Sequence, residues 1–404
     1  MVRRVTPAVA VGRTGWTARL RPPVTHESFR SELHDRRTAA LLGVALGVSF
    51  SVAFLTGVLS HLIQNPPGWF VWPARPAGLY RVTQGVHVAT GIAAIPLLLA
   101  KLWVVYPRFW TWPPVHGAAH LVERVSLVPL VGGGLFMLFS GAANIMRWYP
   151  WEFSFPITHY WVSWITMGAL VAHVAAKLAI TRDALARPSP APATGATAAP
   201  SPGGGGLGRR GFLASVGAAA AALTLATVGQ TLRPLQRLAL LAPRRPRSGP
   251  QGVPVNKSAG GARVVELARD PGYRLVVEGR GVPVPLSLSL AELAAMPQRE
   301  ATLPIACVEG WSSTATWRGV PVRDLLVRAG ARPDAKVRVE SLEPRGSYRT
   351  SPLNRRQSAD PDTLLALELF GEPLHVDHGF PVRLIGPNRP GVQQTKWVAR
   401  LVVR

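Results

Sequence analysis

Residues 39–63 read AALLGVALGVSFSVAFLTGVLSHLI and contain no Asp, Glu, Lys or Arg. A helix of this length rises about 37 Å, at about 1.5 Å per residue, and crosses the roughly 30 Å hydrocarbon core of a bilayer. Similar apolar runs follow at 86–105, 121–146 and 157–180. These runs predict an all-α four-helix membrane domain over residues 38–182, and buried helices of a large soluble bundle are the alternative. Tryptophans near the ends of the runs are typical of an interfacial aromatic belt: Trp69, Trp72, Trp103, Trp110, Trp112, Trp148, Trp151 and Trp161.

The composition of the whole chain also favours a membrane protein. Of its 404 residues, 48% are hydrophobic and 16% are charged, whereas soluble proteins average about 25% charged residues. The net charge of +24 would suit nucleic-acid binding, but the arginines flank apolar runs, and no nucleic-acid partner is expected. The single cysteine, Cys307, excludes an intrachain disulfide, a CxxC pair, a Cys-ligated zinc or iron–sulfur site and a c-type haem.

The basic residues predict the orientation of the helices. Residues 1–37 carry eight arginines, and the positive-inside rule places this segment in the cytoplasm. Four spans then return the chain to the cytoplasm at residues 183–208. The stretch 188–206 is rich in Pro, Ala and Gly, so the segment 183–208 is predicted to be a disordered linker.

A fifth, weakly apolar run at 212–229 follows the residues Arg209-Arg210-Gly211-Phe212-Leu213. This pattern resembles a twin-arginine export signal, so residues 209–231 are expected to form a signal or anchor helix that the twin-arginine machinery recognises. An ordinary stop-transfer flank is the alternative in so arginine-rich a chain. Export predicts a multi-pass protein of the plasma membrane with a cytoplasmic N-terminus and an extracytoplasmic C-terminal domain, since long domains cross regardless of charge.

Histidines within the apolar runs are candidate ligands, because polar side chains in a membrane are costly and usually functional. His61, His87 and His159 fall near the outer surface, and His120 falls near the inner one. His173 follows His159 by fourteen residues, about 21 Å deeper and close to four helical turns on, which places it level with His120. The spacing offers an outer pair, His87 with His159, and an inner pair, His120 with His173.

This spacing resembles that of bis-histidine dihaem b-type cytochromes, in which facing helices of a bundle bind haem iron through imidazoles. The resemblance implies one haem b at each pair, and a single haem at the outer pair is the smaller version. His61 is a spare that could replace His87 or contact a propionate or a quinone. For His61, as for His116, an ordinary residue at a helix end in the membrane interface is an equally good interpretation.

From about residue 250 to 404 the sequence changes to short apolar alternations broken by Gly and Pro. Residues 273–278, 336–341 and 381–385 are predicted strands, and residues 288–295 and 322–329 are predicted short helices. The pattern predicts a mixed α/β domain after the membrane helices.

The motifs of this domain resemble the sulfite-oxidase-fold molybdenum enzymes. The segment Pro304-Ile305-Ala306-Cys307-Val308-Glu309-Gly310-Trp311-Ser312 is similar to the cofactor-cysteine loop of that family. The resemblance continues in order over about 130 residues, through residues 346–351, 360–366 and 371–374, then 377–384, Gly391 and Lys396-Trp397. It implies a sulfite-oxidase-like molybdopterin domain.

The resemblance also implies roles for individual residues. Cys307 would be the protein ligand of molybdenum, and a soft thiolate suits a metal that already carries dithiolene sulfurs. Tyr348 aligns with a tyrosine at the family's substrate mouth, and Glu309 follows the cysteine by two residues; both are candidate catalytic residues. The anionic pterin would be bound by basic and polar residues at the family's positions: Asn256, Lys257, His378, Arg383 and Lys396.

Departures from the family pattern bear on the substrate. Sulfite oxidases surround an oxyanion pocket with arginines, whereas Val255 precedes Asn256 here and Val308-Glu309-Gly310-Trp311 follows the cysteine. An acid at this position is expected to repel the sulfite dianion. The Cys-Val-Glu form looks more like the branch of periplasmic sulfoxide reductases, which pairs with a membrane haem subunit.

The sequence therefore predicts a membrane-bound molybdopterin oxidoreductase that passes electrons between a quinone or similar partner, haem b and an extracytoplasmic molybdenum site. The expected reaction is two-electron oxygen-atom transfer on a small molecule, by reduction of an S-oxide or N-oxide. The alternatives are oxidation of sulfite or another small sulfur compound at the same site, and a non-enzymatic haem electron conduit.

Overall fold

The protein is described by a computed structural model, which covers residues 29, 31–110, 115, 117–186, 207–229, 233–242, 244 and 248–404. Most of the predicted basic segment (1–28 and 30) and most of the predicted linker (187–206) lie outside the described residues, as does His116. The described chain has a helical N-terminal region followed by a mixed α/β domain.

Five stretches of the helical region are long and apolar enough to cross a membrane. They lie at Arg36–Gln64, Leu79–Trp110, His120–Met146, Phe155–Ala186 and Arg209–Val228, in agreement with the five predicted runs. The helices that build them are α1 (Arg36–Gln64), α2 (Leu79–Val105), α3 (Ala118–Leu127), α4 (Gly133–Met146), α5 (Phe155–Ala186) and α6 (Arg209–Val228).

The third stretch is not one continuous α-helix. A π-helical turn at Val128–Gly132 joins α3 to α4, and Pro129 lies within it. Proline has no backbone N–H to donate and its ring clashes with the preceding turn, which accounts for the wider turn at this point.

Helix α2 begins at Leu79, seven residues before the predicted run at 86–105. The apolar run starts later than the helix because Arg81 and Gln84 interrupt the apolar pattern. In the structure both side chains reach the C-terminal domain: Arg81 Nη1 donates to Thr314 Oγ1 (3.4 Å) and Gln84 Nε2 to the Val308 carbonyl (3.4 Å). His87 therefore lies two turns inside α2 instead of at its start.

Helix α6 packs along α2 instead of standing apart from the other helices. Near its N-terminus, Val216 clusters with Val104 of α2. Near its C-terminus, Val228 clusters with Val88 and Ile92 of α2. The two helices are therefore antiparallel, and the predicted signal helix lies within the helical region as a fifth packed member.

The C-terminal domain contains two five-stranded sheets, with strand orders β2-β1-β10-β5-β6 and β3-β4-β7-β8, where β9 also pairs with β7. Only the β1–β10 pair is parallel among the described strands. The first sheet contains β1 (Arg274–Gly279), β2 (Leu286–Ser289), β5 (Val337–Ser341), β6 (Thr350–Leu353) and β10 (Val398–Val403). The second contains β3 (Arg299–Ala306), β4 (Ser312–Pro321), β7 (Leu364–Leu369), β8 (Glu372–Pro373) and β9 (Arg383–Ile385).

Short helices connect the strands: α7 (Ala259–Ala262), α8 (Val265–Arg269), α9 (Leu290–Ala295), α10 (Val322–Arg328) and α11 (Arg355–Ala359). The three predicted strands and two predicted helices are confirmed as β1, β5, β9, α9 and α10. The alternation that predicted the strands arises because every second side chain is buried: Leu275 and Val277 of β1 and Val339 of β5 are fully buried. The same core contains Leu325 of α10 and Leu365 of β7.

Candidate active site

The single cysteine lies in a tight loop between β3 and β4. The Cys307 N–H donates to the Trp311 carbonyl (2.9 Å), and the Gly310 N–H donates to the Cys307 carbonyl (3.1 Å). Gly310 has a φ of +84°, and a Cβ at this position would lie 3.0 Å from Val88 of α2, so the turn and the contact both require glycine. The thiol is free and buried, and its pKa is raised, first by burial and then by the charge of Glu309. A metal ion binding here would displace the thiol proton.

Three basic side chains, Arg383, His378 and Lys396, are close enough together to influence one another's protonation. Burial lowers the pKa of Arg383 to about 9. Burial, followed by the charge of Arg383, lowers the pKa of His378 to about 4 and holds that of Lys396 well below its usual value. Gly379 stands between them with a φ of +112°, and a Cβ there would come within 3.1 Å of the Cβ atoms of both Arg383 and Lys396.

Arg383 and Lys396 make their polar contacts to backbone carbonyls. Arg383 donates through Nη1 to the His378 carbonyl (3.0 Å) and stacks over the Trp317 ring (5.1 Å), while its buried Nε has no hydrogen-bond partner. Lys396 Nζ donates to the Lys257 carbonyl (2.8 Å). Within the described residues, neither side chain forms an ion pair with a carboxylate. Because buried cations are costly without a counter-charge, the arrangement fits an anionic group such as a phosphate.

The remaining residues predicted for the pterin lie beside this group. Asn256 Oδ1 accepts from the Lys257 N–H (2.9 Å), and the Lys257 ammonium pairs with Glu343 (2.5 Å). The charge of the Lys257 side chain is therefore balanced by Glu343, and Lys257 contacts Lys396 only through its backbone carbonyl. The predicted mouth residue, Tyr348, donates through its hydroxyl to Gln64 Oε1 at the end of α1 (3.3 Å).

The cysteine loop is covered by residues that the sequence did not connect to it. Arg147, which directly follows α4, lies 3.6 Å from Glu309 Oε1, and Arg244, between α6 and the domain, lies 3.8 Å from Glu309 Oε2. The Trp311 indole also donates to Glu309 (2.9 Å). Sequence spacing gave no signal for these contacts, because they join residues about 65 to 160 positions apart in segments with no shared motif.

The loop between α1 and α2 is clamped to the domain by Asn388. The Asn388 side chain accepts from the Tyr80 N–H (2.7 Å) and donates to the Pro73 carbonyl (2.7 Å). Its backbone carbonyl accepts from the Trp72 indole (2.9 Å), and its N–H donates to the Ala77 carbonyl (2.9 Å). Tyr80 is the second residue of α2, whose own N-cap residue makes no side-chain capping bond. Asn388 thus caps the helix from another part of the chain.

An ion-pair cluster strengthens the same contact. Arg75, in the α1–α2 loop, binds Asp360 (2.9 Å) and Asp362, and Arg299 of β3 also binds Asp362 (2.8 Å). Burial opposes ionisation of Asp362, but hydrogen bonds from the two arginines lower its pKa overall. The carboxylates are only slightly exposed, so these pairs are less screened than those on an open surface.

Two of the predicted haem ligands meet inside the helical region. The ring centroids of His87 and His159 are 6.5 Å apart. His87 Nδ1 contacts the Ala53 carbonyl (2.8 Å), and His159 Nδ1 contacts Ser140 Oγ (3.0 Å), which leaves the two Nε2 atoms as candidate metal ligands. A Cβ at Gly57 would lie 2.9 Å from His87, so α1 approaches this ring as closely as glycine allows.

The other histidines have different surroundings. His61 stacks on Tyr160, with 3.7 Å between ring centroids. His120 lies at the third residue of α3, with Arg124 Nε 3.4 Å from its Nε2, and His173 lies half-buried in α5. The structure thus brings the outer pair into contact, whereas the inner pair stays a prediction from spacing.

Comparison with known proteins bears on the C-terminal region. Residues 262–404 match the family model described as the oxidoreductase molybdopterin binding domain. This region is a molybdopterin-binding oxidoreductase domain. Mitochondrial sulfite oxidase of Mus musculus is 36% identical over 157 residues, which cover 32% of this chain and 29% of that protein. Nitrate reductase (NADH) 2 of Phaseolus vulgaris is 44% identical over 103 residues, which cover 23% of this chain and 12% of that protein.

The chain therefore spans less than a third of the length of these curated relatives. Among solved structures, the sulfane dehydrogenase SoxCD from Paracoccus pantotrophus is 26% identical and covers 33% of this chain and 38% of that chain, with a TM-score of 0.30.

The residues around Cys307 fit the molybdopterin group that this domain family binds. The unpaired Nε of Arg383 and the half-buried amine of Lys396, which Gly379 allows to pack close together, suit the anionic phosphate of the pterin. The buried thiol of Cys307 suits a soft metal.

Proposed function

We propose that this protein is a membrane-bound molybdenum oxidoreductase that passes electrons between a quinone-type partner, haem b and a molybdopterin site around Cys307. The proposed reaction is two-electron oxygen-atom transfer, in the direction of S-oxide or N-oxide reduction. The observation that carries the proposal is the free, buried thiol of Cys307 in a molybdopterin-binding oxidoreductase domain where the basic side chains Arg383 and Lys396 make their polar contacts to backbone carbonyls.

The side chains of the domain have distinct tasks in this proposal. Cys307 binds the metal as a thiolate, and Arg383, Lys396 and His378 hold the pterin phosphate. When bound, the molybdenum group supplies the oxygen-atom transfer. Glu309 within the loop and Tyr348 beside it orient the substrate or move protons: the Tyr348 hydroxyl donates to Gln64, and burial raises its pKa further above neutrality, so the hydroxyl stays protonated.

His87 and His159 are proposed as the haem ligands of the outer site. Their ring centroids lie 6.5 Å apart, so the two side chains are close enough to bind one group together. The Ala53 and Ser140 oxygens fix the ring orientations through Nδ1, as outer-shell partners of metal-binding histidines do. A second haem between His120 and His173 remains part of the proposal on spacing alone.

Helix α2 supports direct electron transfer between the two sites. Gln84 and His87 are three residues apart on this helix, and Gln84 Nε2 contacts the carbonyl of Val308, the residue after Cys307. One turn of helix and one hydrogen bond therefore separate the candidate haem ligand from the cysteine loop. The Asn388 clamp holds the two parts in this position.

We also propose a plasma-membrane location with the N-terminus inside and the C-terminal domain outside. The arginines of residues 1–37 support the orientation. The Arg209-Arg210 pair lies at the first turn of α6, and the far end of α6 lies beside Val88, at the end of α2 that faces the cysteine loop. Five crossings are consistent with a domain outside, delivered by the twin-arginine machinery.

The test is performed on purified protein in detergent. Metal analysis and reduced-minus-oxidised spectra should find molybdenum and b-type haem, and dithionite-reduced haem should be reoxidised by S-oxides or N-oxides. Cys307→Ser should keep the haem spectrum and lose reoxidation, while the exposed strand variant Thr302→Ser should retain both. Haem without molybdenum would leave only the non-enzymatic conduit.

Oxidation of sulfite is the second candidate, and the similarity to sulfite oxidase over the domain favours it. The same protein distinguishes the two directions. Sulfite added to oxidised protein would reduce the haem if the site oxidises sulfur compounds, whereas S-oxides would oxidise reduced haem if the site removes oxygen.

A further inference from the structure

Glu309 is not an isolated negative charge beside the cysteine. Its two carboxylate oxygens face Arg147 at 3.6 Å and Arg244 at 3.8 Å, and the Trp311 indole donates to one of them. Arginine stays protonated at any physiological pH. Two guanidinium groups against one carboxylate leave a surplus of one positive charge at the loop that carries Cys307, which reverses the expectation that Glu309 repels anions.

The two arginines are partly open to solvent. Their side chains are 45% (Arg147) and 24% (Arg244) exposed, while that of Glu309 is 11% exposed. The distances of 3.6 and 3.8 Å are those of ion pairs without tight hydrogen bonds, so N–H donors of both guanidinium groups remain for another acceptor. The carboxylate holds the two arginines in place without using up their donors.

The backbone at Arg147 is also unusual. Arg147 follows α4 with a φ of +54°, in the left-handed region where glycine or asparagine usually ends a helix. This conformation is unfavourable for a residue with a Cβ, because the Cβ lies too close to the following carbonyl oxygen. A residue kept in such a conformation next to a candidate active site is a reason to look for a functional role.

We propose that Arg147 and Arg244 are specificity-determining residues, held by Glu309 at the mouth of the molybdenum site, and that they select substrates carrying a negative charge next to the transferable oxygen. This rests on the proposed function of the site. Both residues lie outside 262–404, so the helical region and the connection to the domain supply this part of the mouth. The substrate class is then an anionic oxygen-atom donor, either an organic S-oxide or N-oxide acid or an inorganic oxyanion.

The test compares two substrates of similar size, one anionic and one neutral. Methylsulfinylacetate is anionic and methylsulfinylacetamide is its neutral counterpart, and nitrate represents the inorganic source of the same charge. Arg147→Gln and Arg244→Gln should each raise KM for methylsulfinylacetate about tenfold, the effect of losing one charge-assisted hydrogen bond, with kcat within twofold. KM for the neutral amide should not change. The exposed variant Arg280→Gln is the matched control and should behave as wild type.

Binding of methylthioacetate, the anionic reduction product, is measured by calorimetry on the same proteins. Its affinity should fall about tenfold in each mouth variant and stay unchanged in Arg280→Gln. Equal effects on the anionic and neutral substrates, or no effect on either, would overturn the inference. If wild-type protein turns over none of the substrates, the proposed function fails, and the product-binding series alone decides whether the mouth selects anions. A KM shift for nitrate without one for the sulfinyl acid identifies an inorganic oxyanion as the substrate.

Discussion

Replacing Asn388 with alanine should loosen the contact between the α1–α2 loop and the domain by an amount that the structure allows to be estimated. The substitution removes the cap on the Tyr80 N–H, at about 1 kcal/mol. It leaves the Pro73 carbonyl without its partner, at about 1 kcal/mol, and places alanine at a φ of +54°, at about 1 kcal/mol. The total of about 3 kcal/mol corresponds to a roughly 100-fold larger opening constant.

Hydrogen–deuterium exchange of peptides covering residues 66–82 measures this opening, because amide exchange follows local unfolding. Exchange in this segment should accelerate about 100-fold in Asn388→Ala. Asn388→Gly should have a smaller effect, since glycine tolerates the positive φ, and Asn388→Asp should keep the cap on Tyr80 while losing the bond to Pro73. The exposed variant Asn65→Ala is the control. If Asn388→Ala and Asn65→Ala exchange alike, Asn388 does not clamp the helix.

Two further predictions concern the histidines. His159→Ala should remove the part of the b-type absorbance that comes from the outer haem, while Ser140→Ala should keep that haem but shift its redox potential, as checked by spectroelectrochemistry; an unchanged spectrum in His159→Ala would contradict its role as a ligand. In protein made without the pterin, the depressed pKa of His378, about 4, means that the unfolded chain takes up the proton first. The contribution of His378 to the free energy of unfolding should therefore be fully present above pH 6.5, and the free energy of unfolding should fall by about 3 kcal/mol as the pH drops to about 4. Thermal unfolding of His378→Asn should lack this acid-side loss, and an identical pH profile in the two proteins would contradict the argument.

The sequence predicted the parts of the molecule whose residues repeat or cluster along the chain. The apolar runs predicted five helices because a bilayer demands about 20 apolar residues from each. The strands of the domain followed from alternation, and Cys307 followed from a motif of consecutive residues. Hydropathy did not reveal the first turns of α2, because Arg81 and Gln84 are polar residues that contact the C-terminal domain.

The residues that the sequence could not predict are those defined by contacts between distant segments. Arg147 and Arg244 are two of many arginines in the chain, and only the fold shows that they flank Glu309. The partner of His87 was inferred from depth along the helices, and the structure does bring His159 to it. The pairing of His120 with His173 was inferred from the same argument and stays a prediction.

The Asn388 cap has a consequence for how the protein is made. Asn388 lies 308 positions after Tyr80, and at about 5–20 residues per second a ribosome needs roughly 15–60 s to synthesise the intervening chain. During that time the first turn of α2 has no capping partner from the domain, and the α1–α2 loop has nothing to close on. Docking of the folded domain is therefore a late step of biogenesis. A domain with a malformed Asn388 loop would leave the α1–α2 loop unclosed and more open to proteolysis.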